Sequence, residues 1–203
     1  WYPGHMAKAL KQIEERLKVI DIVVELVDSR APISSKNPFL EEITKNKIRL
    51  LLMTKKDLSD EIRLKSFIKD YEKKGYNCLI VDLNNQSDVK KIVDKIMELG
   101  KPLQEKYLRK GMKPQPIRAM IIGIPNVGKS TLINRLVKKR VASTANKAGH
   151  TRAQQWIRIN PSFELLDTPG ILSPHYDDHQ IALNLALIGA MKEEILPFQE
   201  IMD

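Results

Sequence analysis

Cysteine is almost absent: Cys78 is the single one in 203 residues. One thiol excludes an intrachain disulfide framework and the thiolate cluster of a structural zinc site. Cys78 lies in the apolar run 78–81 and is expected to be a buried, inert thiol. Aromatic residues are sparse, at 5% against 42% hydrophobic overall, so the core must be aliphatic. No stretch approaches the ~18 consecutive apolar residues of a spanning helix. The opening Trp1-Tyr2-Pro3-Gly4-His5 lacks the charged start and apolar run of a signal peptide. The expectation is a cytoplasmic protein with no membrane partner.

The most informative absence is of acid. Between Glu105 and Glu164 there is no Asp or Glu, while residues 106–163 hold thirteen of the 34 Lys and Arg. The rest of the chain carries the other 21 against 25 acidic side chains, a net −4, so the overall +9 is regional. A region of one sign suits phosphates, whether of a nucleotide or of a nucleic-acid backbone. A triphosphate needs only a few of the thirteen, which leaves a nucleic-acid partner and a solvated basic surface as the two readings of the remainder.

What is present reads as alternating strands and helices. Strands are expected at 21–28, 48–53, 77–81, 118–123, 156–159 and 163–167, with amphipathic helices at 7–18, 61–74, 89–99 and 129–138. The alternation implies an α/β, Rossmann-like fold: a mostly parallel sheet covered by helices on both faces. Only Asn160-Pro161-Ser162 separates the last two strands, too short for a crossover, so they should form an antiparallel hairpin at one edge. The stretch 100–116, with Gly100, Pro102, Gly111, Pro114 and Pro116 among five basic residues, reads as a connector containing at most a short helix.

Gly123-Ile124-Pro125-Asn126-Val127-Gly128-Lys129-Ser130 fits G-x-x-x-x-G-K-[ST] between an apolar strand and a helical stretch. In such a loop, after Pro125, which has no N–H, the backbone amides from Asn126 to Thr131 surround the phosphates and Lys129 reaches the β and γ groups. Ser130 ligates Mg²⁺. Downstream, Asp167-Thr168-Pro169-Gly170 is a D-x-x-G element, in which Asp167 holds a water on Mg²⁺ and the Gly170 amide senses the γ phosphate. Between the two lies the polar loop Ala148-Gly149-His150-Thr151-Arg152. Its Thr151, with Thr144 as the fallback, is the candidate to offer Mg²⁺ a hydroxyl in the GTP state.

Guanine recognition needs an [NT]-K-x-D element at a strand end, because an Asp there accepts two hydrogen bonds that adenine cannot donate. Nothing after Gly170 supplies one. Thr54-Lys55-Lys56-Asp57 does, some 70 residues ahead of the phosphate loop. Asp57 would read the base and the Lys55 stem would pack on its face. The order of motifs is circularly permuted, and GTP and GDP are the expected ligands.

These residues resemble the circularly permuted GTPases of the YlqF/YawG type. The likeness is carried by Trp1-Tyr2-Pro3-Gly4-His5-Met6-Ala7-Lys8-Ala9, Glu25-Leu26-Val27-Asp28-Ser29-Arg30, the loop 123–130 with Thr131-Leu132-Ile133-Asn134-Arg135-Leu136, Gln154-Gln155-Trp156, and residues 165–172. The resemblance implies a P-loop GTPase domain over 1–175, made of a base-reading half 1–99, the connector 100–116 and a phosphate and switch half 117–175. It also implies a C-terminal helical domain, of which 176–203 would be a truncated start. It implies a monomer that acts late in assembly of the large (50S) ribosomal subunit and contacts ribosomal RNA. Two departures stand out. Thr54 replaces the usual Asn, weakening one polar contact to the base, and Val81-Asp82-Leu83-Asn84-Asn85 lacks the family's Ser-Ala element, leaving that contact to backbone amides around Asn84.

In many GTPases a glutamine directly after D-x-x-G orients the attacking water; here Ile171 stands in that place and cannot. Intrinsic hydrolysis is therefore expected to be slow and to need help. By resemblance His5 is one source, its plain alternative being a cap on a helix starting near Met6, with His150 and His175 behind it. Asn126 is another, since GTPases with this asparagine can bind K⁺ beside the phosphates. The alternative to an assembly GTPase is a guanine-nucleotide-dependent binding module with negligible turnover. Arg30 either touches RNA or pins its own loop. Tyr107-Leu108-Arg109-Lys110 and Lys138-Lys139-Arg140 are the candidate RNA-facing clusters, against plain solvated helix ends.

Overall fold

The computed structural model describes residues 3–32, 38–54, 60–123, 128–143 and 156–167. In chain order the elements are α1 (Pro3–Leu17), β1 (Ile22–Asp28), α2 (Pro38–Thr44), β2 (Ile48–Thr54), α3 (Glu61–Lys73), β3 (Asn77–Ile80), α4 (Gln86–Arg109), β4 (Ile117–Gly123), α5 (Lys129–Ser143), β5 (Trp156–Asn160) and β6 (Phe163–Asp167). The six strands form one sheet in the order β3-β2-β1-β4-β6-β5. All neighbours are parallel except β5 and β6, the expected antiparallel edge hairpin, which carries an irregularity in register between Arg158 and Asn160.

Period-two alternation within continuously apolar strands decides which face each residue covers. On one face Ile22, Val24 and Leu26 of β1 join Leu50, Leu52, Ala119 and Ile121 under Ile92 and Ile96 of α4 and Leu132 and Leu136 of α5. On the other, Val23, Met120 and Ile122 pack on Ile13 and Leu17 of α1 and Leu40 of α2. Farther along that face Val27, Leu51 and Met53 pack on Leu64 of α3 and Tyr76. Phe163 is the one aromatic side chain among the largest fully buried ones. Cys78 is only half-buried, packed at the margin of the cluster around Leu51 and Tyr76, because β3 is the sheet's edge strand. That corrects the expectation of a fully buried thiol.

One helix adds to those named from the sequence, and two expectations are corrected. Residues 38–44 form α2, which the sequence pattern did not suggest. α1 begins at Pro3, so His5 lies in its first turn and does not cap a helix starting at Met6. α4 runs unbroken for 24 residues through Gly100 and Pro102, so most of the expected connector is helix. Gly100 does not break this helix; it lets α4 cross β4, since a Cβ there would collide with the Ile117 side chain. Pro102 removes one backbone donor where the helix is already exposed and its ladder can be completed by water.

Candidate nucleotide site

The chain fills the sheet outward from β1 through β2 to β3, then returns to β4 on the other side of β1 and continues to β6. The order therefore reverses between β1 and β4, and in open α/β sheets ligands bind outside the carboxyl ends of strands at such a point. Four of the motifs leave a strand at that edge: Thr54 ends β2, Gly123 ends β4, Asp167 ends β6, and the loop 81–85 follows β3. Register places Asp28 opposite Thr54, Leu26 opposite Gly123 and Ile121 opposite Asp167.

Gly128 is where the two halves meet. Its φ of +108° lies in the region that disfavours side chains, and a Cβ there would stand 2.8 Å from Leu83 Cδ1 and 3.7 Å from Thr54 Cγ2. Glycine is thus required by backbone conformation, and its missing Cβ leaves room for the end of the Leu83 side chain. The same contact brings the end of β2 and the loop after β3 within van der Waals reach of the phosphate loop, across more than forty and more than seventy residues of sequence. α5 starts at once: the Leu132 amide donates to the Gly128 carbonyl at 2.9 Å. In its first turn Lys129 is half-buried while Ser130 and Thr131 are exposed. No acid stands in that turn, so its dipole meets a phosphate unopposed.

The loop after β3 is shaped by its own carboxylates. Asp88, 8% exposed at its side chain, accepts the Asp82 amide at 2.9 Å. Asp82 accepts the Asn84 amide at 2.9 Å, the Asn85 amide donates to the Asp82 carbonyl at 3.0 Å, and the Asn85 side chain caps α4 through the Ser87 amide. The amides of Asp82, Asn84 and Asn85 are therefore engaged within the loop. That corrects the expectation of several backbone donors for the base; Leu83 keeps an amide with no acceptor among the described residues. Asn84 instead uses its side-chain oxygen to accept Arg135 Nη2 of α5 at 3.1 Å, a second link between the halves.

Thr54 is 1% exposed and its hydroxyl donates to the Val27 carbonyl at 3.2 Å. It ties β2 to β1, a role that sequence reasoning did not assign to it. Arg30 folds back onto Asp28, which shows it pinning its own turn. α1 is joined to β1 by four residues and packs Ile13 and Leu17 against Val23, Met120 and Ile122, with His5 in its first turn.

Lys55, Lys56, Asp57, Pro125, Asn126, Val127, Thr144, His150, Thr151, Gly170, Ile171 and His175, and residues 176–203, lie outside the described residues, as do the side chains of His5, Lys139, Arg140 and Asp167. A serine hydroxyl at a helix start and a carboxylate at the end of the next strand but one form the hard oxygen donor set that suits Mg²⁺. Ser130 and the position of Asp167 fit it. Among the described residues no helix is long and apolar enough to cross a membrane.

A family model described as "50S ribosome-binding GTPase" matches residues 118–196. Ribosome biogenesis GTPase A of Bacillus licheniformis is 48% identical over 201 residues, 99% of this chain and 71% of that protein. The protein of the same name from Priestia megaterium is 49% identical over 205 residues, covering 99% and 70%. Among solved structures, GNP-bound YlqF from T. maritima matches with a TM-score of 0.70 at 27% identity, covering 96% of this chain and 71% of that one. With the strand of the base-reading motif ahead of the phosphate strand in the chain, and both converging on Gly128, this chain belongs to the YlqF-type circularly permuted GTPases and is itself a GTPase.

Proposed function

We propose that the protein is an assembly factor for the large ribosomal subunit that contacts ribosomal RNA and is released by hydrolysing GTP. The observation that carries the RNA reading is the far end of α4. At about 1.5 Å per residue this helix is about 36 Å long, and beyond Gly100 it overshoots the start of β4. There Lys101, Lys106, Arg109, Lys110 and Lys113 are exposed and form no ion pair among the described residues. Leu108 and Met112 beside them are 60% and 48% exposed. A cationic tip with apolar contacts, at the opposite edge from the nucleotide, suits a phosphate backbone and leaves the GTP site free. Lys138, exposed on α5, belongs to the second basic cluster. The names of the relatives support the ribosomal half of the reading.

In the nucleotide site Asp57 reads guanine, helped by the Leu83 amide and the Lys55 and Lys56 stems. The amides of residues 126–131, following Pro125, and the Lys129 side chain hold the phosphates, with Gly170 sensing the γ group. Ser130, Thr151 and Asp167 would hold Mg²⁺, which would supply positive charge to the triphosphate. Ile171 leaves the water without a glutamine, so turnover is slow until His5, or K⁺ held at Asn126, completes the site on the ribosome. The protein acts as a monomer in the cytoplasm. GTP turnover measured in K⁺ buffer, with and without purified large subunits, tests the reading. Strong stimulation is expected; tight GTP binding without stimulation would instead indicate a regulatory binding module.

A further inference from the structure

Hydrolysis as described above makes no use of the turn that ends β1, yet that turn is densely tied. The Asp28 carboxylate is fully buried and receives three donors from Arg30: Nε at 2.9 Å and the backbone amide at 2.9 Å on Oδ1, and Nη2 at 2.7 Å on Oδ2. The Ala31 amide closes the turn on the Asp28 carbonyl at 3.1 Å. A bidentate, charge-assisted fork of this kind fixes direction as well as distance. The turn in turn grips β2. The Ser29 amide donates to the Thr54 carbonyl at 2.9 Å, the Thr54 hydroxyl donates to the Val27 carbonyl at 3.2 Å, and Asp28 is Thr54's register partner. Thr54 is the first residue of the base-reading motif, and its methyl lies beside Gly128.

We propose that Arg30, acting through Asp28, is a positioning residue for guanine recognition: the pair holds the turn that holds Thr54, and so fixes where the residue-57 carboxylate meets the base. This rests on the reading of Asp57 as the base acceptor. Arg30 keeps its fork closed on Asp28 while the residue stays exposed at the surface of the turn.

The test is competition between GDP and IDP, whose hypoxanthine lacks the 2-amino donor, on the whole chain and on Arg30→Lys, Arg30→Ala and Asp57→Ala, with thermal melts alongside. Arg30→Lys keeps the charge beside Asp28, and so the fold, while losing the fork. The GDP-over-IDP preference is expected to narrow about twofold in Arg30→Lys and about fivefold in Arg30→Ala, and to collapse toward one in Asp57→Ala. A merely structural role would lower both affinities equally and leave the ratio. If Asp57→Ala collapses the preference but both Arg30 variants retain it, the positioning role is overturned and the base-reading motif stands. If Asp57→Ala retains it, the base-reading motif itself is misassigned and the Arg30 proposal falls with it.

Discussion

The two halves that meet at Gly128 are built by different means. On the base side, loops are shaped by carboxylates: Asp28 gathers three donors from Arg30, Asp88 and Asp82 accept loop amides, and Asn85 caps α4. On the phosphate side, residues 106–163 contain no acid at all, and the local geometry rests on backbone: a positive φ at Gly128 and the acid-free first turn of α5. A carboxylate is a good scaffold for a loop that reads a neutral base and a poor neighbour for a triphosphate. The regional charge of the chain is the trace of that division.

The comparison can be broken most severely at Lys129. Lys129→Ala removes the one side-chain charge the phosphate half places in the first turn of α5, and should weaken GTP binding by about a hundredfold or more with the melting temperature little changed. Isothermal titration checks this, and an affinity within about threefold of the parent would show that backbone amides suffice.

The opposite result is expected on the base side, where Asp88→Ala orphans the Asp82 amide and frees the loop that carries Leu83. Stability should fall by about 1–2 kcal/mol in a denaturant titration, with GDP affinity reduced in step. Unchanged stability would mean that the loop is held by Leu83 packing alone.

A smaller effect, confined to the partner, is expected at the α4 tip. The triple change Lys106→Glu, Arg109→Glu, Lys110→Glu should weaken binding to isolated large subunits about tenfold and flatten its salt dependence, leaving GTP affinity as it was. Equal binding at low salt would move the RNA surface elsewhere.

All six strands were legible in the sequence to within about one residue, because buried parallel strands are continuous apolar runs bounded by turn residues. α4 was misjudged at Gly100 and Pro102, since local rules read both as breakers. What decides there is a tertiary contact, the crossing over Ile117, that no local window contains. The phosphate loop could be read because its chemistry fixes residue types at fixed spacing. The roles of Thr54, Asp88 and Arg30 could not, because each depends on which amide or carboxylate a neighbouring strand happens to bring alongside.

Whether the motif ahead of the phosphate loop reads the base is decided by Asp57→Asn. An amide in place of the carboxylate offers one acceptor and one donor, which matches xanthine, with its C2 carbonyl, and mismatches guanine, with its 2-amino group. Competition between GDP and XDP on the two proteins should show the preference inverted in Asp57→Asn, by about a hundredfold overall. A variant that still prefers GDP as strongly as the parent would contradict the account.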